Sequence, residues 1–247
     1  EMKLTILGKY GPFPAAGGAC SGYLLEAGNI SLVLDLGNGA LSRLLRLKPE
    51  LHIHGILLSH LHSDHMADML ILRYALQQLS ARGRPVPLPV TVLAPDTPEL
   101  EYRQLAASGV YDMVPIQDNL KVHFQDVAVT FHRVIHPVPT YALVVEHAGR
   151  KLVYTGDTGY RDDLIPLCAD ADLLLADTGF LRADNIGAMP AHLTTEQVAY
   201  IAKKARVKQL VCTHIWGGGY TDAQVLREVS PICPQALIAE EMHEYYI

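Results

Sequence analysis

A short stretch of the sequence, SHLHSDHMADM at residues 59–69, contains three histidines and two aspartates. Imidazole and carboxylate groups are the side chains that most often bind divalent metals at neutral pH. His60 and His62 alternate along an extended segment, so both rings can point to the same side. Asp64 and His65 follow where a helix begins, and they face another direction. The stretch therefore indicates ligands for two metal ions, with a polar loop between a strand and a helix as the simpler alternative.

Other metal-binding side chains follow apolar runs that predict buried strands. One such residue stands at the end of each of four runs, and these residues are His60, His136, Asp157 and His214. A single histidine after a strand is most simply a hydrogen-bonded turn residue. Four strand ends of this kind, together with HLHSDH, favour a common site at one sheet edge.

The residue types also indicate what kind of metal site this is. Structural zinc is usually bound by a closed set of cysteines, and the sequence offers no such set. Two ions with nitrogen and oxygen ligands, and with room left for water, are typical of a catalytic site. A pair of neighbouring metals can activate water and polarise the group under attack.

Composition limits the class of protein. The chain has 247 residues, of which 49% are hydrophobic and 19% charged, and its four cysteines have no Cys-x-x-Cys spacing. We therefore expect one domain over residues 1–247, with free thiols in a reducing, cytoplasmic compartment. We expect no membrane-spanning helix, because the sequence has no run of about 18 apolar residues, and we expect residues 1–14 not to be a secretory signal. A net charge of −6 without a basic block argues against a surface for extended nucleic acid.

The elements that must position these side chains are short strands alternating with helices. Apolar runs predict strands at 3–8, 22–28, 31–37, 54–59, 89–94, 120–124, 127–135, 141–146, 151–155, 173–176 and 209–213. Periodicity predicts helices at 41–47, 66–79, 97–107, 194–205 and 222–229. Thr194 and Gln197 have the spacing of a capping box, and residues 147–150 that of a hairpin turn. This order indicates two sheets with helices outside them.

The motifs, taken in order, resemble those of the metallo-β-lactamase-fold hydrolases over nearly the whole chain. HLHSDH (60–65) is similar to the family signature His-x-His-x-Asp-His, YTGDT (154–158) to its Gly-Asp strand end, and VCTHIW (211–216) to its last metal histidine. SGYLLEAGNISLVLDLGNG resembles the opening strands and their Asp-x-Gly turn. The resemblance implies an α/β fold, the αββα four-layer sandwich.

The resemblance also implies which side chains would bind two divalent ions. Three residues would bind one ion, three the other, and one would bridge them: His60, His62 and His136, then Asp64, His65 and His214, then Asp157. This ligand set suits Zn²⁺ first, and Mn²⁺ or Fe as well.

The third metal-binding histidine and the role of Asp35 each have an alternative interpretation. His132 stands four residues before His136 and could be the third histidine instead. We prefer His136, because the family's third histidine precedes the Gly-Asp strand by one short hairpin. Asp35 resembles the family's buried turn aspartate, which would orient the metal-binding loop. A simple turn aspartate is the alternative there.

His192, in the segment His-Leu-Thr at 192–194, resembles the His-Ser-Thr segment of the tRNase Z-like phosphodiesterases. That resemblance implies that His192 lies beside the metals and serves the scissile phosphate. Asp177, at the end of DLLLADTGF, could hold His192 in the required tautomer, and we expect Asp64, His192 and Asp177 to be catalytic. A positioned imidazole that protonates the leaving alkoxide is typically worth ~10²–10⁴-fold in rate. The alternatives are that His192 caps the helix after it and that Asp177 is a turn residue.

The expected function is a dinuclear phosphodiesterase for a small or cyclic phosphodiester or a nucleotide. The first alternative is a lactonase, thioesterase or sulfatase of the same fold, in which Tyr220 could stabilise an oxyanion. A tRNase Z-like ribonuclease would carry a long tRNA-binding arm, but only 21 positions separate His136 from Asp157, and the predicted hairpin fills them. A non-catalytic binding protein would be expected to have lost ligands. We expect a small-molecule substrate and no membrane partner, and a homodimer is left open.

Overall fold

The computed structural model describes residues 1–184 and 191–247, and these residues form sixteen strands and seven helices. The strands are β1 (Met2–Gly8), β2 (Tyr10–Gly11), β3 (Gly22–Ala27), β4 (Ile30–Leu36), β5 (Gly55–Leu57), β6 (Val90–Ala94), β7 (Tyr111–Pro115), β8 (Lys121–Phe124), β9 (Val127–Arg133), β10 (Tyr141–His147), β11 (Arg150–Tyr154), β12 (Leu173–Asp177), β13 (Gln209–Thr213), β14 (Ile215–Trp216), β15 (Ala236–Ile238) and β16 (Glu244–Tyr246). The helices are α1 (Ala40–Leu47), α2 (Ser63–Met66), α3 (Met69–Ala81), α4 (Glu99–Ala106), α5 (Leu164–Leu167), α6 (Thr195–Lys204) and α7 (Asp222–Val229).

The strands form two seven-stranded sheets and one short ribbon. The first sheet has the order β16-β1-β3-β4-β5-β6-β7, and the second has the order β15-β13-β12-β11-β10-β9-β8. Strands β4 to β7 are parallel in the first sheet, and β11, β12, β13 and β15 are parallel in the second. The two-residue strands β2 and β14 pair with each other. Because parallel strands lead their carboxyl ends to one edge, each sheet gathers several loops there.

Burial patterns explain why the two sheets stack between layers of helices. Every residue of β4 is buried, as expected for a strand covered on both faces, whereas β9 buries alternate residues. The central apolar cluster joins residues of both sheets, such as Leu34 and Phe131. A second cluster packs α5, α6 and α7 on the outer face of the second sheet. A third cluster packs α1 and α3 on the first sheet. The predicted αββα four-layer sandwich is therefore confirmed.

Local predictions are mostly confirmed. Ala148 and Gly149 both adopt positive φ between β10 and β11, as the two-residue turn of a tight hairpin requires. The capping box of α6 is present, and α7 has the predicted bounds. None of the described helices has the length and apolar character that a bilayer crossing needs.

The predicted helix over 66–79 is wrong at its beginning. The chain forms the short helix α2, turns, and begins α3 at Met69. The reason is a tertiary contact at Asp68. Its backbone N–H donates to Leu36 at 3.1 Å, and its carboxylate accepts a hydrogen bond from the Leu41 N–H at 2.8 Å. These bonds to β4 and α1 fix the turn at Asp68 and set the direction of the metal-binding loop.

Candidate metal centre

The predicted site residues lie where parallel strands end. In the first sheet, β4 contains Asp35 near its end, and β5 leads to the loop that begins with His60. In the second sheet, the neighbouring strands β11, β12 and β13 lead to Asp157, Asp177 and His214. The packing of the two sheets brings these ends together.

Three imidazoles form the first half of the centre, which we call the histidine group (His60, His62 and His136). One ring nitrogen of each lies within 4.8 Å of those of the other two. His62 Nδ1 lies 3.1 Å from His60 Nε2 and 3.0 Å from His136 Nε2. Three nitrogens that converge in this way offer three donors to one ion.

Two carboxylates and two imidazoles form the second half, which we call the carboxylate group (Asp64, His65, Asp157 and His214). Their ligand atoms also lie within 4.8 Å of one another. Asp157 Oδ2 lies 3.2 Å from the Nε2 atoms of both His65 and His214. The same oxygen lies 3.7 Å from His60 Nε2 and 3.9 Å from His136 Nε2. Asp157 therefore stands between the two groups.

The donor set fits divalent metal ions. His65 Nε2 and Asp157 Oδ1 are buried, and neither has a hydrogen-bond partner among the described residues. Leaving buried polar atoms and carboxylates uncompensated is costly. A cation placed among these atoms would remove that cost, and imidazole with carboxylate is a ligand combination typical of Zn²⁺ and similar ions.

Hydrogen bonds away from the centre set the tautomers of the histidines. His136 Nδ1 donates to the carbonyl oxygen of Ala191 at 3.0 Å, and His65 Nδ1 donates to Asp35 at 2.8 Å. The Ser59 hydroxyl donates to Asp35, so it accepts a hydrogen bond from His60 Nδ1 at 3.0 Å. In all three histidines Nε2 is then the nitrogen directed inward, and it is the nitrogen that can bind a metal once it carries no proton.

The buried carboxylate of Asp35 accepts the hydrogen bonds that orient His65 and, through Ser59, His60. Its carboxylate accepts four hydrogen bonds, from His65, from Tyr154 and from both the N–H and the hydroxyl of Ser59, at 2.7–2.8 Å. The backbone of Asp35 has a φ of 52°, a region that non-glycine residues rarely adopt. Asp35 is fully buried and orients His65 directly and His60 through Ser59.

The two groups differ in their electrostatics. Burial lowers the pKa of all three members of the histidine group, so these rings are neutral. Burial also opposes protonation of His65, but Asp157, Asp64 and Asp35 raise its pKa well above the usual value. Burial opposes ionisation of Asp157, but His214 and His65 hold its pKa well below the usual value. The carboxylate group is therefore a negatively charged pocket.

His192 lies beside both groups. Its Nδ1 donates to Asp177 Oδ2 at 2.9 Å and lies 3.8 Å from Asp157 Oδ2. Its ring stacks on that of His214 at 4.8 Å between centroids. Burial lowers the pKa of His192, but Asp177 and Asp157 outweigh it and raise the pKa to about 9. An imidazole with a raised pKa is thus held beside the Asp157 carboxylate.

The alternatives for His192 and Asp177 have different outcomes. The helix-cap alternative for His192 is wrong, because Thr194 is the N-cap of α6 and its hydroxyl accepts the Gln197 N–H. Asp177 is fully buried, and it also accepts the N–H groups of Thr158 and Gly179. It therefore makes a turn contact and holds His192 at the same time.

Two glycines allow the close contacts of the centre. A Cβ atom on Gly11 would lie 1.9 Å from His214 Nε2, and one on Gly37 would lie 1.9 Å from the carbonyl oxygen of Asp64. Any side chain at either position would displace a residue of the carboxylate group. Gly37 belongs to the Asp-x-Gly turn of the sequence, but no sequence pattern pointed to Gly11.

Two other residues considered in the sequence lie apart from the clusters. His132 belongs to β9 and lines a surface cavity of about 330 Å³ with Asp118 and Arg161. The Tyr220 hydroxyl donates to Asp184. Neither side chain is among the potential metal-binding groups of the described residues.

The fold and the paired ligand groups define a class of metal-dependent hydrolases. The profile of the family described as "Beta-lactamase superfamily domain" matches residues 32–215, three quarters of the chain. The chain belongs to the metallo-β-lactamase superfamily and is a metal-dependent hydrolase of that superfamily.

Individual relatives cover most of the chain. It is 35% identical over 214 residues to the probable metallo-hydrolase YhfI of Bacillus subtilis, covering 87% of each chain. The crystal structure of the YhfI protein superimposes with a TM-score of 0.91 over 100% of both chains. The chain is also 28% identical over 245 residues to a Ribonuclease Z of Mycobacterium bovis, covering 86% of this chain and 85% of that protein. A diphosphatase of the PhnP family shares the fold, with a TM-score of 0.79 and 16% identity over 100% of this chain and 98% of the other.

Proposed function

We propose that this protein is a phosphodiesterase that uses two metal ions and acts on a small or cyclic phosphodiester. The observation that carries the proposal is His192, which Asp177 holds by Nδ1 beside the Asp157 carboxylate. A hydrolase that attacks a phosphodiester must supply a proton to an alkoxide leaving group, and this imidazole is placed for that task.

The proposal assigns the two groups to two ions. His60, His62 and His136 would bind one ion, Asp64, His65 and His214 the other, and Asp157 both. When bound, two divalent ions, with Zn²⁺ the first choice for these donors, would activate water and neutralise charge on the phosphoryl oxygens. Mn²⁺ or Fe would also suit the donors.

The remaining chemistry belongs to residues of the chain. Because Nδ1 of His192 donates to Asp177, Nε2 is the nitrogen that can deliver a proton to the leaving oxygen. Asp177 stabilises the imidazolium before transfer and keeps the ring in the same orientation afterwards. Asp64 completes the carboxylate group at 3.2 Å from His214 Nε2, and its charge favours cation binding next to the reacting phosphate.

The expected substrate is small. The chain between His136 and Asp157 forms the hairpin of β10 and β11 with a two-residue turn, so that segment provides no tRNA-binding arm. The relative called Ribonuclease Z, at 28% identity, supports phosphodiester chemistry without extending its RNA substrate to this chain.

A substrate panel tests the proposal. Protein reconstituted with Zn²⁺ or Mn²⁺ is assayed on bis(p-nitrophenyl) phosphate, a cyclic nucleotide, an acyl-homoserine lactone, a thioester and an aryl sulfate. We expect kcat/KM to be highest on a phosphodiester. The variant His132→Ala, which changes a histidine outside the centre, should retain that activity, whereas Asp64→Asn should lose it. A clear preference for the lactone, the thioester or the sulfate would refute the proposal.

A further inference from the structure

Two exposed aromatic rings lie together on chain segments that adjoin the metal centre. Phe13 is 45% exposed and Trp216 is 39% exposed, and their ring centroids lie 6.3 Å apart in an edge-to-face arrangement. Large apolar side chains that remain exposed next to a site need a reason, because burial would stabilise the fold. The proposed metal and proton-transfer roles make no use of either ring.

The backbone places both rings next to the carboxylate group. Trp216 is two residues after His214 and pairs through β14 with Gly11 on β2. Gly11 touches His214, since a Cβ there would lie 1.9 Å from Nε2, and Phe13 is two residues further along. Two residues of chain span at most about 7 Å. The Cα atoms of Trp216 and Phe13 thus lie within about 7 Å of those of His214 and of Gly11, which touches His214.

The Trp216 ring is held in place from within the protein. A Cβ on Gly218 would lie 2.3 Å from that ring, so the glycine backbone packs directly against it. Tyr220 contacts the same indole edge-to-face at 5.1 Å. A ring that is supported in this way loses little conformational entropy when a ligand stacks on its other side.

The loop that carries Phe13 is also fixed. A Cβ on Gly217 would lie 2.3 Å from the Phe13 carbonyl oxygen, so the two loops are in contact. Further along the loop, the Ala19 N–H donates to Glu241 at 2.8 Å, and Arg43 donates to the carbonyl of Gly17 at 3.0 Å. Arg43 and Glu241 also form an ion pair at 2.6 Å. The two rings are therefore a preformed surface.

We propose that Phe13 and Trp216 form a base-stacking wall, and that the substrate is a phosphodiester of a nucleoside. This inference rests on the proposed phosphodiesterase function and specifies its substrate class. A nucleotide has a flat aromatic base one sugar away from its phosphate, so the phosphate can reach the metal-binding groups while the base meets the wall. Aromatic side chains stack on every nucleobase, since each base has a π-face.

The single tryptophan of the chain gives a direct binding test. Trp216 is the only tryptophan among the 247 residues, so tryptophan emission reports on the wall alone. The metal-loaded protein is titrated with adenosine 5′-monophosphate and, separately, with ribose 5-phosphate. We expect a saturable change in emission with the first and none with the second. The variant Phe13→Ala should weaken nucleotide binding by about 10- to 100-fold. Tyr74→Ala, which removes an exposed ring on α3, should leave it unchanged.

Kinetics then separate this inference from the proposed function. Adenosine 2′,3′-cyclic phosphate is compared with the cyclic phosphate of methyl riboside, which lacks the base. Trp216→Ala should lower kcat/KM on the first substrate about 10- to 100-fold, mainly through KM, and change it less than about twofold on the second. Trp216→Phe should restore most of the loss, which distinguishes a lost stacking partner from a misfolded loop.

The outcomes are distinguishable. Base stacking by Phe13 and Trp216 is refuted if kcat/KM is equal on the two cyclic phosphates, or if the two ligands change the emission equally. The proposed phosphodiesterase function is unaffected by either result. A nucleotide-dependent emission change that Phe13→Ala weakens, in a protein that hydrolyses no phosphodiester, supports the wall and refutes the phosphodiesterase function. A stronger response to a fatty acyl chain than to the nucleotide also overturns the wall.

Discussion

The histidine group and the carboxylate group lie side by side, yet they are built differently. The histidine group consists of three neutral rings whose pKa values are lowered by burial. The carboxylate group holds two ionised acids, Asp64 and Asp157, around His65. A neutral set of donors is tolerated in the protein interior, whereas buried negative charge must be compensated. The comparison indicates that the folded protein depends on a cation more in the carboxylate group than in the histidine group.

The largest effect is expected at Asp157, the residue proposed to bind both ions. Asp157→Asn keeps the shape of the side chain but removes its charge, and we expect loss of both ions. The rate loss should exceed about 100-fold, the upper range for changes to outer-sphere partners of a metal. Asp64→Asn should lower the occupancy of the carboxylate group alone. Metal content by mass spectrometry after reconstitution measures both variants, and two retained ions in Asp157→Asn would contradict the shared role.

The next effect separates proton transfer from metal binding. His192→Ala should keep both ions but lower the rate on an alkyl phosphodiester by ~10²–10⁴-fold, because the leaving alkoxide needs a proton. On a p-nitrophenyl ester, whose leaving group hardly needs one, the loss should be much smaller. Equal losses on the two esters would mean that His192 positions the phosphate instead. Metal analysis of the same sample is the control.

A smaller effect is expected from the residue that supports the centre from outside. Asp35→Asn weakens the hydrogen bond that orients His65, and we expect metal affinity in the carboxylate group to fall about 10- to 100-fold. The histidine group should change less, because Asp35 reaches His60 only through Ser59. Competition with a chelator measures the two affinities. Asp126→Asn, at an exposed carboxylate, is the control, and equal weakening of both groups would show that Asp35 does not distinguish them.

The smallest effect is expected at Glu26, a partly exposed carboxylate outside the metal centre, which can be compared with the buried carboxylates of the carboxylate group. Burial opposes ionisation of Glu26, but hydrogen bonds from Lys48 and Lys3 lower its pKa below the usual value. A lowered pKa contributes stability above the pKa of the unfolded state, and that contribution is lost as the pH falls through the folded value. Glu26→Gln should therefore cost ~0–1 kcal/mol at pH 7 and less near pH 4. Urea unfolding of the wild-type protein and the variant at the two pH values measures this difference in the free energy of unfolding. A difference that is larger at pH 4 than at pH 7 would contradict the lowered pKa of Glu26.

The candidate ligands could be predicted from the sequence because they follow apolar strands in a local pattern. HLHSDH places four of them within six residues, and strand ends such as that of β13 place the others. The contact between His192 and Asp177 was expected only through the resemblance of the His-Leu-Thr segment to that of the tRNase Z-like phosphodiesterases. Spacing and residue type alone left a helix cap and a turn residue as alternatives, and the N-cap role of Thr194 in the structure excludes the helix cap.

The remaining features depend on contacts between distant segments. The ribbon that places Phe13 and Trp216 together pairs β2 with β14, which lie at opposite ends of the chain and have two residues each. Strands this short have no periodicity to detect. Strand β7 was not predicted either, because it lies at a sheet edge, buries only Tyr111 fully and carries a polar residue and a proline. The turn at Asp68 results from bonds to β4 and α1, which a helical pattern does not contain.

The candidate ligands of the centre are divided between the two sheets, and this division would link metal binding to folding. The loop after β5 in the first sheet supplies four of the seven residues, and strands of the second sheet lead to the other three. Each proposed ion would bind residues from both sheets and hence only the folded chain, so an ion at 100 times its Kd would add about 2.7 kcal/mol to the free energy of unfolding. A chelator would then lower the free energy of unfolding. Amide hydrogen exchange would become faster in both sheets when the metal is removed. Bound metal would therefore stabilise the packing of the two sheets against each other, in addition to any role in catalysis.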